Sequence, residues 1–202
     1  MTREDYISRY EKFQYMRERV KEDENRLHYH LMPPSGWLND PNGLVQKDGI
    51  YHIYFQYTPY DCGWGTKIWG HYTTKDMLVF QEEEPFLFPD RTFDRDGVYS
   101  GSALADGDKI YYFYTGNVKL HDRDDYDYIH TGREQNTIMV TSEDGYHISS
   151  KELLFTNKDY PSNMSTHVRD PKIFRKNGYD YMVLGGRTKD GKGCVLVYRG
   201  QH

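Results

Sequence analysis

Two carboxylates and one hydroxyl stand out because their spacing repeats. Asp40 precedes Tyr51, Ser100 precedes Tyr111 and Asp170 precedes Tyr181 by the same 11 residues. Carboxylates brought together can attack an electron-poor carbon, move a proton or bind hydroxyls, and a serine hydroxyl can donate a hydrogen bond to any of these. Asp40 lies in Trp37-Leu38-Asn39-Asp40-Pro41-Asn42-Gly43. Pro41 biases the residue before it toward an extended conformation, and Asn42-Gly43 tolerates positive φ, so Asp40 is expected at a fixed strand entrance. The same residues also read as turn chemistry with no function, and the local sequence does not choose between the two.

The elements that must position these residues follow the same frame. Leu44, Leu104 and Phe174 occupy the fourth position after each, and Lys47-Asp48-Gly49, Ala105-Asp106-Gly107 and Lys176-Asn177-Gly178 supply turns. Each turn leads into a strand: Tyr51-His52-Ile53-Tyr54-Phe55, Tyr111-Tyr112-Phe113-Tyr114 and Tyr181-Met182-Val183-Leu184. These residues suit a sheet buried on both faces. A third strand follows in Gly70 to Asp76 and in Thr137 to Asp144. Leu78-Val79-Phe80 with Pro85-Phe86-Leu87-Phe88, and Tyr146-His147-Ile148 with Leu153-Leu154-Phe155, then read as an outer strand and its exit. The unit is four short antiparallel strands over 60 to 70 residues, the pattern of a propeller blade with extended loops. Blade 1 is expected at about 37–90, blade 2 at 97–157 and an incomplete blade 3 at 167–202. Asp40, Ser100 and Asp170 would meet at one end of a shared channel.

Ahead of this all-β region, Tyr6, Tyr10, Phe13 and Val20 fall near one helical face. A helix is expected from Thr2 to Asp23, capped by Thr2 with Asp5, within an N-terminal extension of residues 1–26. The 202 residues are 37% hydrophobic and 16% aromatic, a globular composition. A net charge of −5 without a basic stripe argues against nucleic acid as a partner. No apolar stretch reaches the ~18 residues of a membrane span. Cys62 and Cys194 read as separate thiols in a reducing, cytoplasmic setting. His28-Tyr29-His30 lacks a third ligand, so neither metal nor cofactor is expected.

Trp37 to Gly43, Tyr99-Ser100-Gly101-Ser102-Ala103 and Arg169-Asp170-Pro171 together resemble the three ordered signatures of glycoside hydrolase family 32. That family comprises invertases, sucrose-6-phosphate hydrolases and fructan hydrolases. The resemblance, from about Asn25 onward, implies a five-bladed β-propeller followed by a β-sandwich, and a small sugar as partner. It makes Asp40 the nucleophile toward a fructosyl carbon and Asp170 a stabiliser of the transition state, oriented by Arg169. Asn39 and Gln56 match positions that contact the sugar, Trp64 would wall the pocket, Ser100 could donate to a fructosyl hydroxyl, Tyr99 joins them at a position where the family often has Phe, and His167 would stand behind them. The resemblance also implies a general acid Glu in a Glu-Cys-Pro-like motif after Arg-Asp-Pro. None follows Asp170 here, and Glu134, Glu143 and Glu152 fall in the outer half of blade 2. A partial chain is therefore expected, with sucrose or sucrose 6-phosphate as substrate. Fructan hydrolysis, fructosyl transfer and a non-catalytic sugar-binding fragment are the alternatives. A phosphorylated substrate would call on rim cations such as Lys67, Arg95 or Arg133.

Overall fold

A computed structural model describes residues 1–63 and 65–201. Two helices, α1 (Arg3–Lys12) and α2 (Gln14–Lys21), precede eleven strands in three antiparallel sheets. The first sheet orders β1 (Trp37–Lys47), β2 (Ile50–Thr58), β3 (Ile68–Thr74) and β4 (Gln81–Glu82). The second repeats this with β5 (Val98–Asp106), β6 (Lys109–Lys119), β7 (Arg133–Ser142) and β8 (Glu152–Phe155). The third holds β9 (Met164–Lys176), β10 (Tyr179–Thr188) and β11 (Gly193–Gln201). Every sheet thus opens with a strand that carries one of the repeated motifs.

Packing between sheets explains the aromatic content. Tyr54, Trp69 and Phe86 of the first sheet region meet Val98, Ile110, Tyr112, Tyr114 and Ile138 of the second in one buried cluster. Within it the Tyr54 and Tyr112 hydroxyls are 2.8 Å apart, so two polar atoms with no access to water satisfy each other. Phe113, Met164, Val168, Ile173, Met182 and Leu184 form the corresponding cluster between the second and third sheets. β3 is buried throughout, whereas Val195 and Val197 on β11 are 66% and 62% exposed. The expectation of burial on both faces therefore holds for the first two sheets and not for the third, whose outer face meets solvent.

Several sequence expectations are corrected. The helix from Thr2 to Asp23 is two helices, although the Thr2 and Asp5 capping box forms as read. Phe13 breaks it because its ring packs against Tyr60, with centroids 4.9 Å apart. The Tyr10 carbonyl at the break accepts from Phe13 N at 3.2 Å and, in addition, from Arg17 Nη1 at 2.7 Å. Leu78-Val79-Phe80 and Tyr146-His147-Ile148 are bends, not strands. In each, the carboxylate of the preceding aspartate caps two backbone N–H groups: Asp76 those of Leu78 and Val79, Asp144 those of Tyr146 and His147. Such capping holds the chain in a turn instead of releasing it to a ladder. The outer strands start later, at Gln81 and Glu152. β9 begins at Met164, ahead of the expected 167.

Candidate active site

The three repeated residues share a backbone irregularity invisible in the sequence. The β1 to β2 register shifts between Leu38 and Pro41, around Asp40. The β5 to β6 register shifts between Val98 and Gly101, around Ser100. Opposite Val183 and Gly185 of β10, β9 shifts between Lys172 and Arg169, around Asp170. Each candidate residue therefore sits in a β-bulge of the first strand of its sheet. A bulge adds a residue to one strand, turns its side chain out of the pleat and frees it from pairing. A second shift in β1, between Asn42 and Val45, places the first hairpin turn at Asp48-Gly49. The second turn falls at Gly107-Asp108, because Asp106 pairs with Lys109; this corrects the Asp106-Gly107 assignment.

Each bulge is held from the neighbouring sheet, and the two junctions use equivalent positions. Asn42 and Ser102 lie two residues after Asp40 and Ser100. The Asn42 orientation that pairs its whole amide donates to Ser100 Oγ at 3.3 Å and accepts from Gln56 N and Nε2, both at 3.2 Å. Ser102 Oγ donates to the Pro171 carbonyl at 2.7 Å and accepts from Ile173 N at 2.9 Å. Gln56 and Thr115 stand on the second strands across from their own bulges. Gln56 Nε2 donates to Val98 O at 2.8 Å, and Thr115 Oγ1 accepts from Asp170 N at 2.9 Å. Buried polar side chains of one sheet thus fix the bulge of the next, coupling the three residues through hydrogen bonds. Gly43 belongs to the same support. Its φ is +51°, and a Cβ there would meet the Trp69 ring at 2.9 Å.

At the mouth formed this way, Ser100 Oγ donates to Asp40 Oδ2 at 2.7 Å, although the two residues are 60 apart in sequence. This bond fixes one carboxylate oxygen and leaves Oδ1 without a hydrogen bond among the described residues. Asp170 has φ +61°, a left-handed conformation that is uncommon for a non-glycine residue and runs against the extended preference before proline. Such a conformation persists only where surroundings impose it, and here Thr115 and Ser102 do so. Arg169 Nε is 3.5 Å from Asp170 Oδ2. The Asp170 carboxyl is pushed above its ordinary value, chiefly by the protein packed around it, and the push is modest because its side chain stays 52% exposed. Arg169 opposes that shift and the Asp40 charge adds to it, so the two carboxylates sense each other.

The remaining sequence candidates are distributed around this pair. Asn39 Oδ1 accepts from Trp37 Nε1 at 2.9 Å. Gln56 is 3% exposed, and its amide is committed to Val98 and Asn42, so the structure places it behind the bulges. Tyr99 is half-buried; its carbonyl accepts from Trp69 Nε1 at 3.0 Å, and burial raises its hydroxyl pKa. Trp64 lies outside the described residues. Lys67 is buried and donates to Thr58 Oγ1, whereas Arg95 is exposed and pairs with Asp96. His28 and His30 are exposed, and Cys62 and Cys194 are both free thiols. Among the described residues, no group of three or more His, Cys, Asp or Glu could hold a metal. No helix among them is long and apolar enough to cross a membrane. Asn42, Ser102 and Thr115 escaped sequence reasoning as site supports. Asn42 and Ser102 carried a signal, an offset of two within the repeated frame; Thr115 carried none.

Three antiparallel sheets that bring two carboxylates and a hydroxyl together at one edge define a mostly β protein with an acidic site. Residues 30–202 match the glycosyl hydrolases family 32 N-terminal domain, and the chain belongs to that family of glycoside hydrolases. It is similar to the sucrose-6-phosphate hydrolase of Bacillus subtilis, 40% identical over 87% of this chain and 34% of that protein. Among solved structures, sucrose-6-phosphate hydrolase from Lactobacillus gasseri superposes with a TM-score of 0.84 at 27% identity, over 99% of this chain and 39% of that one. A β-fructofuranosidase of Bombyx mori in complex with sucrose superposes with a TM-score of 0.76 at 29% identity, over 98% and 40%. The chain spans about a third of the length of the curated relatives it matches.

Proposed function

We propose that this chain carries the fructosyl-binding half of a retaining β-fructofuranosidase that cleaves sucrose or sucrose 6-phosphate. The observation that carries the reading is the Asp40 carboxylate, lifted from its strand by a bulge and held through one oxygen by Ser100. Its free oxygen attacks the anomeric carbon of the fructosyl unit as the bond to the leaving oxygen breaks, giving a covalent fructosyl-Asp40 ester. The leaving oxygen takes a proton from a second carboxyl group about 5 Å away. That group belongs to the part of the relatives' length that these residues do not cover. Water then attacks the same carbon, giving its proton back to that second carboxyl group, and the bond to Asp40 breaks to return it as a carboxylate.

Asp170 acts as a hydroxyl-binding group, with Arg169 alongside. Its strained backbone and its pinning by Thr115 and Ser102 favour fixed hydrogen bonds, which stabilise a transition state without reorganising. Asn39 and Tyr99 line the sugar, and Gln56 supports the bulges. The three sheets are the first three blades of a five-bladed propeller, with the helices as an outer extension. Sucrose hydrolysis by the protein containing this chain tests the reading. Asp40→Asn should lower turnover ~10³-fold or more, and turnover within a few-fold of the unsubstituted protein would reject Asp40 as nucleophile.

A further inference from the structure

The two helices lie outside the stretch that matches the family domain, which begins at residue 30, yet they reach the strand ends beside Asp40. Tyr6 stacks on Phe88 with centroids 5.4 Å apart, Tyr10 meets the edge of Tyr57 at 6.2 Å, and Phe13, at the break between α1 and α2, meets Tyr60 at 4.9 Å. Tyr60 is also covered by the Arg9 guanidinium, 4.0 Å from its ring centroid. A cation over the face of a ring and an aromatic edge against it fix the plane of that ring. The Tyr60 hydroxyl is buried and makes no hydrogen bond among the described residues, so the ring is what the helices hold.

From Tyr60 the contacts lead toward Asp40. Thr58 and Tyr57, at the end of β2, pair with Trp37 and Leu38, the residues just ahead of Asn39 and Asp40. Ser35 Oγ donates to the Pro59 carbonyl at 2.9 Å and lies 3.2 Å from the Tyr57 hydroxyl. Gly36, with φ +66°, is packed so closely on the chain around Tyr60 that a Cβ there would meet the Asp61 carbonyl at 2.9 Å. Trp37 Nε1 in turn donates to Asn39 Oδ1 at 2.9 Å. Residues 57–61 therefore form a wall against which 35–40 is set, and the helices press on that wall through Tyr57 and Tyr60. Asp40 is held from two sides, by Ser100 from the second sheet and by this wall from the first.

We propose that Tyr60 is a positioning residue for the reaction at Asp40, clamped by Arg9 and Phe13, and that the N-terminal helices act through it on the segment bearing Asn39 and Asp40. The inference rests on the fructosyl reading and adds to it a control on the geometry of the nucleophile from outside the matched domain. Attack on carbon tolerates little displacement, and a shift of ~1 Å costs up to ~10²-fold in rate.

Kinetics of sucrose hydrolysis by the protein containing this chain, at a temperature where near-UV circular dichroism shows each variant folded, tests it. Arg9→Met combined with Phe13→Ala should lower kcat ~tenfold and change KM less, the pattern of a lost transition-state alignment. Tyr60→Leu should reproduce the loss, whereas Tyr60→Phe should retain kcat because the hydroxyl makes no bond. Arg3→Met, which frees the opposite end of α1 from Glu84 and the Phe86 carbonyl, should stay within about twofold. A second readout needs no turnover. The Trp37 indole N–H reports the segment before Asp40, and that of Trp69, which donates to the Tyr99 carbonyl at 3.0 Å, serves as reference. In proton–nitrogen NMR spectra of the chain, the Trp37 signal should shift and exchange faster with solvent in the double variant while the Trp69 signal stays. An unchanged kcat in the double variant, an equal loss in Arg3→Met or an unmoved Trp37 signal overturns the proposal. The underlying reading fails separately: turnover that survives Asp40→Asn rejects Asp40 as nucleophile, and the Trp37 shift still reports the clamp.

Discussion

Acid should loosen the first sheet through a pair of buried histidines. His52 Nδ1 and His71 Nε2 are 3.1 Å apart on β2 and β3, in residues 1% and 2% exposed. The His71 ring stacks 4.4 Å from Tyr54, within the cluster that joins the first two sheets. Burial first, and the neighbouring His52 second, lower the His71 pKa from 6.5 to about 3, and burial lowers His52 as well. A histidine with a depressed folded-state pKa favours folding fully above its unfolded value. That contribution is lost as pH falls below about 6.5 and stops falling near 3. At pH 5 the unfolded chain binds the proton and the folded chain does not, so His71 alone removes about 2 kcal/mol, ~1.4 kcal/mol per pH unit over ~1.5 units. His52 acts in the same direction. For a chain of this size the change corresponds to a fall of roughly 4–8 °C in Tm. Thermal unfolding followed by near-UV circular dichroism at pH 7 and pH 5 measures it. Carboxylates contribute little across this window, because unfolded aspartates titrate near 3.8. The variant His71→Phe should be less stable at pH 7 and show a smaller loss between the two pH values. An unchanged Tm in the unsubstituted chain, or an equal loss in His71→Phe, would refute the reasoning.

Other outcomes follow from the same contacts. Lys151→Met should destabilise by ~3–5 kcal/mol in denaturant titration, because Lys151 Nζ lies 2.6 Å from the fully buried Asp94 carboxylate and, among the described residues, no other cation pairs with it; pairing with Asp94→Asn should recover part of the loss. Gly43→Ala should cost ~1–3 kcal/mol, since it combines positive φ with a Cβ pressed on Trp69, and sugar binding should weaken with it. Ser100→Ala frees Asp40 Oδ2 and should lower kcat/KM by ~10-fold or more, the worth of a hydrogen bond to a charged group, measured in the protein containing this chain. Sugar binding should weaken as pH falls through the raised Asp170 pKa, above the ordinary 3.8, because the carboxylate form is lost there first. Binding that is flat with pH down to 3.8 would exclude Asp170 as a hydroxyl acceptor.

The sequence was legible where one interaction dominates. Alternating aromatic strands and the turn residues Asp48-Gly49 and Asn177-Gly178 marked the hairpins, and the constant interval of 11 residues aligned the site. It was illegible where tertiary contacts overrode local preference. Phe13 is as compatible with a helix as its neighbours, and only Tyr60 draws it out. Leu78 and Tyr146 have strand-like side chains, but the carboxylates of Asp76 and Asp144 take the backbone N–H groups a ladder would need. Asp170 before Pro171 reads as extended, and it is left-handed because Ser102 and Thr115 come from another sheet. The bulges themselves have no residue signature here, since Asp40, Ser100 and Asp170 are followed by Pro, Gly and Pro. Arg133, named from the sequence as a rim cation, carries no residue signature of its burial against Tyr128.

The central claim is that Asp40 forms the covalent bond to the fructosyl carbon, and it can be tested without a general acid. β-Fructofuranosyl fluoride carries a leaving group that departs without protonation, so Asp40 alone should suffice to displace it. After incubation with the chain, peptide mass spectrometry should find one fructosyl unit on the peptide bearing Asp40, and none in Asp40→Asn. A fructosyl unit on Asp170, or an unmodified Asp40 peptide in the unsubstituted chain, would contradict the account.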